Sequence, residues 1–291
     1  MFVIAGVSGN TGSIVASTLL EQGKKVRVIV RDAAKGESWK ARGAEVAVTS
    51  VDDEDGLTKA LEGAAGAYLL SPPDMASQDF IAQKRTSVDT IARAIERSKV
   101  GHVVFLSSQG AQQPAGTGVI RTLHYAEERL AKTTAKTTFI RAAYFVENWA
   151  SVLGAAAQGK LPTFIPPELT LAMVGTRDIA LVAAKALVEG PPAVKVDIIE
   201  LSGPRDYSSR DIATTLAKIL GKPVEVEAAP LDAVVPAFTS FGITANVAGL
   251  FREMYDGIAK GLVVPEGKGA RFVRGQVDAE TVLRGLLTSH A

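Results

Sequence analysis

Cysteine is absent from the 291 residues of this chain. Its absence excludes a disulfide scaffold, a thiol nucleophile, an iron–sulfur cluster and a thiolate zinc site. Histidine is also scarce, and His102, His124 and His290 lie so far apart in the sequence that no metal site is predicted. A chain without cysteine fits a reducing compartment, and we expect a cytoplasmic protein.

An excess of charge of either sign is also missing, because 32 Lys and Arg residues balance 31 Asp and Glu residues. Without a broadly basic surface to neutralise phosphates, we expect no nucleic-acid partner. No basic segment precedes the apolar residues 2–5, so no secretory signal is predicted. The uncharged residues 233–251 are numerous enough to span a membrane, but Pro236 and the glycines among them predict a buried or pocket-lining segment. We therefore expect no membrane association.

Apolar segments of strand length alternate with helical patterns through the first 150 residues. The predicted strands are residues 2–5, 26–30, 44–48, 67–70, 102–106 and 138–140. Between two of them, apolar residues recur at the spacing that gives a helix one apolar face, at Val88, Ile91, Ala92 and Ile95. Strands that alternate with helices form right-handed βαβ units. The sequence therefore predicts an α/β fold with a Rossmann-type, doubly wound parallel sheet.

The alternation becomes irregular after residue 150. Residues 159–167 are rich in glycine and proline and predict a linking loop. Residues 196–201 form a further apolar strand, which we expect to return to the main sheet. Ser208 and Asp211 have the spacing of a capping box, ahead of a helix that should end at Gly221. We predict a Rossmann domain in residues 1–150 and a smaller, mixed substrate-binding region in residues 151–291.

Three evenly spaced glycines follow the first predicted strand, in the sequence Gly-Val-Ser-Gly-Asn-Thr-Gly at residues 6–12. The first permits a tight turn, the second lets the backbone approach a pyrophosphate, and the third lets the next helix pack close to the strand. The N-terminus of that helix supplies free N–H groups and a positive dipole end. Because a strand precedes the glycines and an amphipathic helix follows them, they predict NAD(P) binding rather than a loop without a ligand. The predicted contacts are Gly6, Ser8, Gly9, Asn10, Thr11 and Gly12.

Arg31 directly follows the second predicted strand, at the position that selects between the two nicotinamide cofactors. An acidic residue there accepts a hydrogen bond from the ribose 2′-OH of NAD, whereas an arginine pairs with the 2′-phosphate of NADP. Lys35 could add a second positive charge, while Asp32 could serve a 2′-OH instead. The position of Arg31 favours NADP(H), and Asp32 keeps NAD(H) as the alternative.

These features resemble the NmrA-like branch of atypical short-chain dehydrogenases/reductases over nearly the whole chain. The shared landmarks are residues 6–12, 30–31, 71–73, 105–111, 124–130, 138–149 and 201–204. The Phe-x-Glu-Asn-Trp stretch at residues 145–149 is more specific to this branch than the glycine turn. The branch includes NADPH-dependent quinone reductases, triphenylmethane dye reductases and redox-sensing regulators. One departure is Ser50, because the family often carries an aspartate there that contacts the adenine.

Ligands of a doubly wound sheet lie beyond the carboxyl ends of its strands. Together with the resemblance, this rule places the segments after the fourth, fifth and sixth strands around one crevice. The cofactor contacts expected there are Ser71, Pro72, Ser107, Ser108, Tyr144 and Phe145. The expected substrate contacts, which suit a flat aromatic molecule, are Gln109, Asn148, Trp149, Phe238 and Phe241.

His124 and Tyr125 are the candidate catalytic residues, on a helix predicted for residues 123–132. Many short-chain dehydrogenases use a Tyr-x-x-x-Lys pair in which the lysine lowers the pKa of the tyrosine, and here Arg129 replaces the lysine. The dye and quinone reductases that the chain resembles commonly carry a histidine at the position of His124, which could supply a proton near neutral pH. Both residues could instead be structural, and about 100° of helix rotation separates them.

The resemblance implies an NADPH-dependent reductase that transfers hydride to a quinone or a similar conjugated small molecule. The alternative is a non-catalytic, NADP(H)-sensing regulator of the NmrA type, since a fold does not determine a function. An epimerase or dehydratase would need the intact Tyr-x-x-x-Lys pair and is disfavoured. The expected partner is a small molecule, and the chain is predicted to act as a monomer or a homodimer.

Overall fold

The central feature of the computed structural model, which describes residues 1–289, is a parallel β-sheet flanked by helices. The strands β1–β13 span Phe2–Ile4, Val26–Val30, Glu45–Val48, Gly66–Leu69, His102–Ser108, Lys136–Ala142, Tyr144–Phe145, Lys160–Thr163, Leu171–Val174, Val196–Ser202, Asp206–Tyr207, Glu225–Ala228 and Arg271–Arg274. The helices α1–α11 span Asn10–Glu21, Glu37–Ala41, Glu54–Leu61, Phe80–Ser98, Arg121–Leu130, Leu153–Ala156, Thr176–Glu189, Ser209–Leu220, Val234–Ser240, Ala245–Ala259 and Ala279–Ser289. Short 3-10 helices span Ala33–Gly36, Gly118–Ile120, Val146–Val152 and Leu231–Ala233.

Within residues 1–289, eight strands form the main sheet in the order β13-β10-β6-β5-β4-β1-β2-β3, and all its pairings are parallel. The chain winds from β1 to β3 in one direction and from β4 to β6 in the other. This confirms the predicted Rossmann-type, doubly wound fold. The direction changes between β1 and β4, and that switch point is where such sheets bind their ligands.

Helices cover both faces of the main sheet, which explains why its inner strands are nearly continuous apolar runs. The four residues of β4 are all buried, and so are Val26 and Val28–Val30 in β2. On one face α1 and α7 pack side by side, and on the other α3 and α4 do so. The apolar face predicted for α4 is confirmed, because Val88, Ile91, Ala92 and Ile95 are each at most 1% exposed.

The second half of the chain contributes strands and a helix to the main sheet as well as forming a smaller region beside it. The strand β10 pairs with β6 on one side and with β13 on the other, so residues beyond 150 extend the main sheet. The helix α7 also lies on this sheet, where Ile179, Ala180 and Ala183 are fully buried in the same core as α1. The predicted division at residue 150 therefore passes through elements that the structure packs together.

A smaller layer of mixed structure lies beside the main sheet, with its own core around Trp149, Leu161 and Leu216. It contains the sheet β11-β9-β7 and the pair β12-β8. The capping box is confirmed, since the Ser208 hydroxyl accepts from the Asp211 N–H and the Asp211 carboxylate accepts from the Ser208 N–H. The helix α8 ends as predicted at Gly221, whose φ of +68° places it in the left-handed region.

The linking loop predicted for residues 159–167 is wrong in part, because Lys160–Thr163 form the strand β8. This strand pairs in parallel with β12, and Pro162 lies opposite Glu227. A two-stranded pair has a free edge on each strand, and a proline without an N–H is tolerated there. The composition of the segment indicated a break, whereas its pairing depends on a partner far along the chain.

The uncharged residues 233–251 form α9 and the first part of α10. Several of their side chains line a cavity, which agrees with the predicted pocket-lining role, as Phe238, Phe241 and Phe251 show. Among residues 1–289, no helix combines the length and the apolar character needed to cross a membrane.

Candidate functional site

The glycine turn between β1 and α1 has the geometry that its sequence predicts. Gly6 has a φ of +70°, a conformation that favours glycine. A Cβ on Gly12 would lie 2.4 Å from the Ala5 carbonyl oxygen, so a larger residue would push α1 away from the sheet. Gly9 is the N-cap of α1 and provides no capping side chain, so the first N–H groups of the helix remain available to an anionic ligand.

A tyrosine that the sequence interpretation missed supports this turn. The hydroxyl of Tyr68 on β4 donates a hydrogen bond to Thr11 Oγ1 at 2.9 Å. Tyr68 is fully buried, and this burial raises its pKa, so it stays protonated as a donor. The bond links the start of α1 to the neighbouring strand at the switch point. No local pattern predicts it, because the two residues are brought together only by the pairing of β1 with β4.

A cavity of about 1950 Å³ opens at the carboxyl ends of β1, β2, β4, β5 and β6. Pockets for single small molecules are typically about 300–1000 Å³, so this cavity has room for two ligands side by side. Most of the residues predicted to bind cofactor or substrate line it, namely Gly6, Ser8, Gly9, Asn10, Thr11, Arg31, Ser71, Pro72, Ser107, Ser108, Gln109, Tyr144, Phe145, Asn148, Trp149, Phe238 and Phe241. The predicted residues that do not line it are Gly12, Lys35, His124 and Tyr125.

Polar groups without partners lie in the wall of this cavity. Ser71 Oγ and Trp149 Nε1 are buried and have no hydrogen-bond partner among residues 1–289. The side-chain amide of Gln109 likewise has no partner in the described chain, although the residue is only 3% exposed. Buried polar groups in native proteins are nearly always paired. The two buried atoms, Ser71 Oγ and Trp149 Nε1, therefore indicate a ligand with its own polar atoms.

The residues after β2 have the arrangement expected for a phosphate contact. Arg31 is exposed at the cavity and makes no hydrogen bond or ion pair with the described residues. Asp32 has a structural role, because its Oδ1 accepts from the Ala34 N–H at 2.9 Å and caps the 3-10 helix that follows. Lys35 lies in that helix and does not reach the cavity wall.

Two of the charged side chains that line the cavity, Asp52 and Lys84, lie near β3 and on α4. Ser50 and Asp52 line the cavity, and the Asp52 carboxylate accepts a hydrogen bond from Ser87. The Lys84 ammonium donates to the Pro72 carbonyl, and burial lowers the pKa of this lysine. These contacts hold the loop after β4 in place. The sequence interpretation missed Lys84, since a lysine on a helix usually faces solvent.

The two candidate catalytic residues lie away from this cavity. The Tyr125 hydroxyl donates to the Asp89 carboxylate of α4, at 3.0 and 3.1 Å from its two oxygens. Arg129 also donates to Asp89, at 3.0 Å, so it does not act on the tyrosine alone. His124 Nδ1 lies 2.8 Å from the Ala111 carbonyl oxygen. The catalytic roles stay predictions, and this geometry does not support them.

The Phe-x-Glu-Asn-Trp stretch forms β7 and a 3-10 helix that bring Asn148 and Trp149 to the cavity. Glu147 is a structural partner, because its Oε1 accepts from the N–H and the hydroxyl of Thr176 at 2.8 and 2.6 Å. The rings of Trp149 and Tyr144 pack edge to face with centroids 6.4 Å apart. The stretch therefore anchors itself through the glutamate and presents its neighbours to the ligand.

A buried ionic network holds the strand ends beneath the cavity. Arg141 on β6 donates to Glu127 on α5, with distances of 2.6 and 3.2 Å to one carboxylate oxygen and 3.0 Å to the other. Ser107 on β5 donates to the same carboxylate at 2.5 Å. Arg141 also pairs with Glu200 and Glu266, and desolvation raises the pKa of Glu200. The network fixes β5, β6 and α5 relative to one another, which positions Ser107 and its neighbours at the cavity.

Aromatic rings from three segments form the other end of the cavity. Phe164 lies 5.5 Å from Tyr255 and 6.1 Å from Phe238, measured between ring centroids. Phe238 in turn lies 5.0 Å from Phe251. Phe241 is 82% exposed at the rim. Among residues 1–289, no group of three or more histidine, aspartate and glutamate side chains is arranged to hold a metal ion.

A doubly wound sheet with a glycine turn at its switch point, opening onto a cavity for two ligands, defines the class of Rossmann dinucleotide-binding proteins. Comparison with known families assigns the chain more closely. The chain belongs to the NmrA-like family, whose model matches residues 1–260.

Curated relatives resemble the chain over most of its length. An NAD(P)H azoreductase from Xenophilus azovorans is 27% identical over 259 residues, which cover 88% of this chain and 86% of the relative. Quinone oxidoreductase 2 from Escherichia coli (strain K12) is 24% identical over 92% of this chain and 91% of the relative.

Solved structures share the fold. The NADPH-dependent quinone oxidoreductase of Escherichia coli, complexed with NADPH, matches with a TM-score of 0.82 and 22% identity over 99% of this chain and all of the other. The Citrobacter sp. triphenylmethane reductase, complexed with NADP(H), matches with a TM-score of 0.81 and 18% identity over 98% of this chain and all of the other.

Proposed function

We propose that this protein is an NADPH-dependent reductase of the quinone, azo and dye reductase type, and that its acceptor is a quinone or a similar conjugated small molecule. The observation that carries the proposal is the single cavity with two different ends. One end has the glycine turn and Arg31, and the other is a set of aromatic rings. Between the two ends, Ser107, Ser108 and Tyr144 line the wall.

The residues of the glycine-turn end fit an NADP(H) molecule. The first N–H groups of α1 suit its pyrophosphate, the orphaned Ser71 Oγ suits a ribose hydroxyl, and Arg31 suits the 2′-phosphate. When bound, the nicotinamide supplies the hydride. The role of the protein is then to orient two flat molecules and to keep water from between them.

The part of the cavity wall near β5 and β6 lies between the two ends and suits this orienting role. Gln109 and Trp149 each present an unpaired polar group there, so hydrogen bonds as well as shape can fix the orientation of a ligand. Orientation alone contributes a large part of the rate for a reaction between two bound partners. The proposal therefore requires neither His124 nor Tyr125.

The relatives point the same way. Two of them carry reductase or oxidoreductase names with NAD(P)H or quinone in the name, and two structures with this fold hold NADPH or NADP(H). The alternative, a regulator that senses NADP(H) without catalysis, is not favoured, because the aromatic end of the cavity offers room for a second ligand beside the cofactor.

The test is consumption of NADPH with a panel of acceptors that contains quinones, azo dyes and triphenylmethane dyes, with NADH as the comparison cofactor. We expect turnover with at least one conjugated acceptor and faster turnover with NADPH than with NADH. Binding of NADPH without its oxidation by any acceptor in the panel would contradict the enzymatic proposal and favour the sensor.

A further inference from the structure

Charge is distributed unevenly around the cavity wall. Its charged side chains, among the described residues, are Arg31, Asp52, Asp74 and Lys84, which lie after β2, β3 and β4 or on α4. From residue 91 to the end of the described chain, the wall contains no charged side chain. We call this uncharged part the acceptor compartment and define it by Tyr144, Phe164, Phe238, Phe251 and Tyr255.

The ring of Tyr255 packs against two other rings of the acceptor compartment. It is tilted against Phe164 at 5.5 Å and lies edge to face with Phe238 at 6.3 Å. The centroids of the Phe238 and Phe251 rings lie 5.0 Å apart, so the rings of the compartment pack against one another. Aromatic faces of this kind favour a flat aromatic ligand through stacked or edge-to-face contacts.

Within this apolar surface, three polar side chains lie close together, because Tyr144 is next to both Asn148 and Tyr255 on the cavity wall. Tyr255 lines the cavity, and its hydroxyl donates no hydrogen bond to any residue among 1–289. A hydroxyl that is partly buried and faces a cavity is expected to donate to whatever fills that cavity.

We propose that Tyr255 donates the hydrogen bond that receives the carbonyl oxygen of an uncharged aromatic acceptor. The proposal rests on the proposed reductase function and names the residue that recognises the acceptor. A carbonyl oxygen gains negative charge as the acceptor is reduced, so the same hydrogen bond strengthens during the reaction.

Two further properties support this role. Burial raises the pKa of Tyr255, so its hydroxyl stays protonated and can donate across the neutral range. The absence of charged side chains in the acceptor compartment means that a sulfonate or an ammonium group on the acceptor would lose its hydration without gaining a partner. The compartment therefore selects uncharged acceptors over ionised ones of similar size.

The experiment measures binding rather than turnover. Calorimetric titrations of the protein saturated with NADP⁺, which cannot reduce the probes, compare 1,4-naphthoquinone, naphthalene and 1,4-naphthoquinone-2-sulfonate. One hydrogen bond is worth about 0.5–1.5 kcal/mol, so we expect the quinone to bind about 2- to 13-fold more tightly than naphthalene. The sulfonate should bind more weakly than the unsubstituted quinone.

Tyr255→Phe should abolish the preference for naphthoquinone over naphthalene while leaving the affinity for naphthalene unchanged. Tyr207→Phe is the matched control, since the Tyr207 oxygen accepts from the Ala279 N–H and does not line the cavity. Its preference should equal that of the unmodified protein.

An equal loss of affinity for both probes in Tyr255→Phe would indicate a packing role and overturn the proposal, as would an unchanged preference. If this variant does not fold, the unmodified protein decides, because naphthoquinone that binds no better than naphthalene also overturns it. These outcomes are independent of the proposed function, which fails only when NADPH is not oxidised by any acceptor.

Discussion

The hydroxyl of Tyr125 on α5 donates to the carboxylate of Asp89 on α4, across the interface of two helices that cover the sheet. Burial and the negative charge of Asp89 both raise the pKa of this tyrosine, which makes it a weaker acid. The residue at the start of the degenerate Tyr-x-x-x-Arg pattern therefore joins helices in this structure.

For Tyr125→Phe we expect kcat/KM to stay near that of the unmodified protein in the NADPH oxidation assay. The free energy of unfolding should fall by about 0.5–1.5 kcal/mol, because one hydrogen bond is lost. His124→Gln should likewise retain activity. General acid–base catalysis raises reaction rates by about 100-fold or more. A decrease of that size in kcat/KM for either variant would show that the residue takes part in catalysis.

Arg31 is expected to determine the preference for NADPH. Arg31→Ala removes the charge that faces the cavity and should weaken NADPH binding about 10-fold or more, with a smaller effect on NADH, since charge-assisted bonds contribute about 1.5–3 kcal/mol. Titration calorimetry with both cofactors measures the ratio. Lys35→Ala is the comparison variant, and its effect should be smaller because Lys35 does not line the cavity. Equal effects of the two substitutions would show that only general surface charge matters.

Gly12 should tolerate no side chain. In Gly12→Ala, the new Cβ would lie 2.4 Å from the Ala5 carbonyl oxygen, and α1 would have to shift. We expect a loss of about 1–3 kcal/mol in the free energy of unfolding, as in other overpacked sites. Gly249→Ala in α10 is the control, because its Cβ would meet nothing within 4 Å and alanine favours helix by about 1 kcal/mol. Chemical denaturation that shows equal stabilities for the two variants would contradict this account of the turn.

His102 should make the stability of the protein depend on pH. It is 1% exposed on β5, its Nε2 lies 3.2 Å from Thr138 Oγ1, and burial lowers its pKa to about 4. In the unfolded chain the pKa is near 6.5, so as the pH falls the unfolded state takes up the proton first. The stability that the neutral His102 contributes is fully present above pH 6.5 and is lost as the pH falls from 6.5 to 4.

The measurement for His102 is the melting temperature of the unmodified protein and of His102→Gln between pH 4 and pH 7. The acidic residues contribute to both curves, so the difference between the curves isolates the histidine. We expect the unmodified protein to lose stability more steeply than the variant over this range. Parallel curves would mean that His102 is protonated in the folded state as easily as in the unfolded chain.

Several features could be predicted from the sequence because each depends on residues close together in the chain. The apolar spacing of α4, the capping box of Ser208 and Asp211 and the end of α8 at Gly221 are of this kind. The glycine turn belongs with them, since a strand, three glycines and a helix follow one another within a few residues. Alternation of strands and helices then restricts the topology to few choices, because parallel connections are right-handed.

Other features depend on contacts between residues that are distant in the chain, and local patterns say little about these. The pairing of β8 with β12 gave strand structure to a segment that resembles a loop. The buried cluster around Arg141 draws carboxylates from α5, β10 and a loop near the C-terminus. A helical pattern does not show which partner a polar face will meet, so it could not show that neither His124 nor Tyr125 lines the cavity.

The sequence by itself determined the fold class and the glycine turn and identified part of the cavity lining, because periodicity and turn chemistry act over a few residues. Only the tertiary structure decided which polar groups face a ligand and which form hydrogen bonds within the protein. Tyr125 donates a hydrogen bond to Asp89, whereas Tyr255 lines an uncharged compartment of the cavity. The physical reason is that the environment of a side chain, which sets its hydrogen bonds and its pKa, is made by segments that the fold brings together.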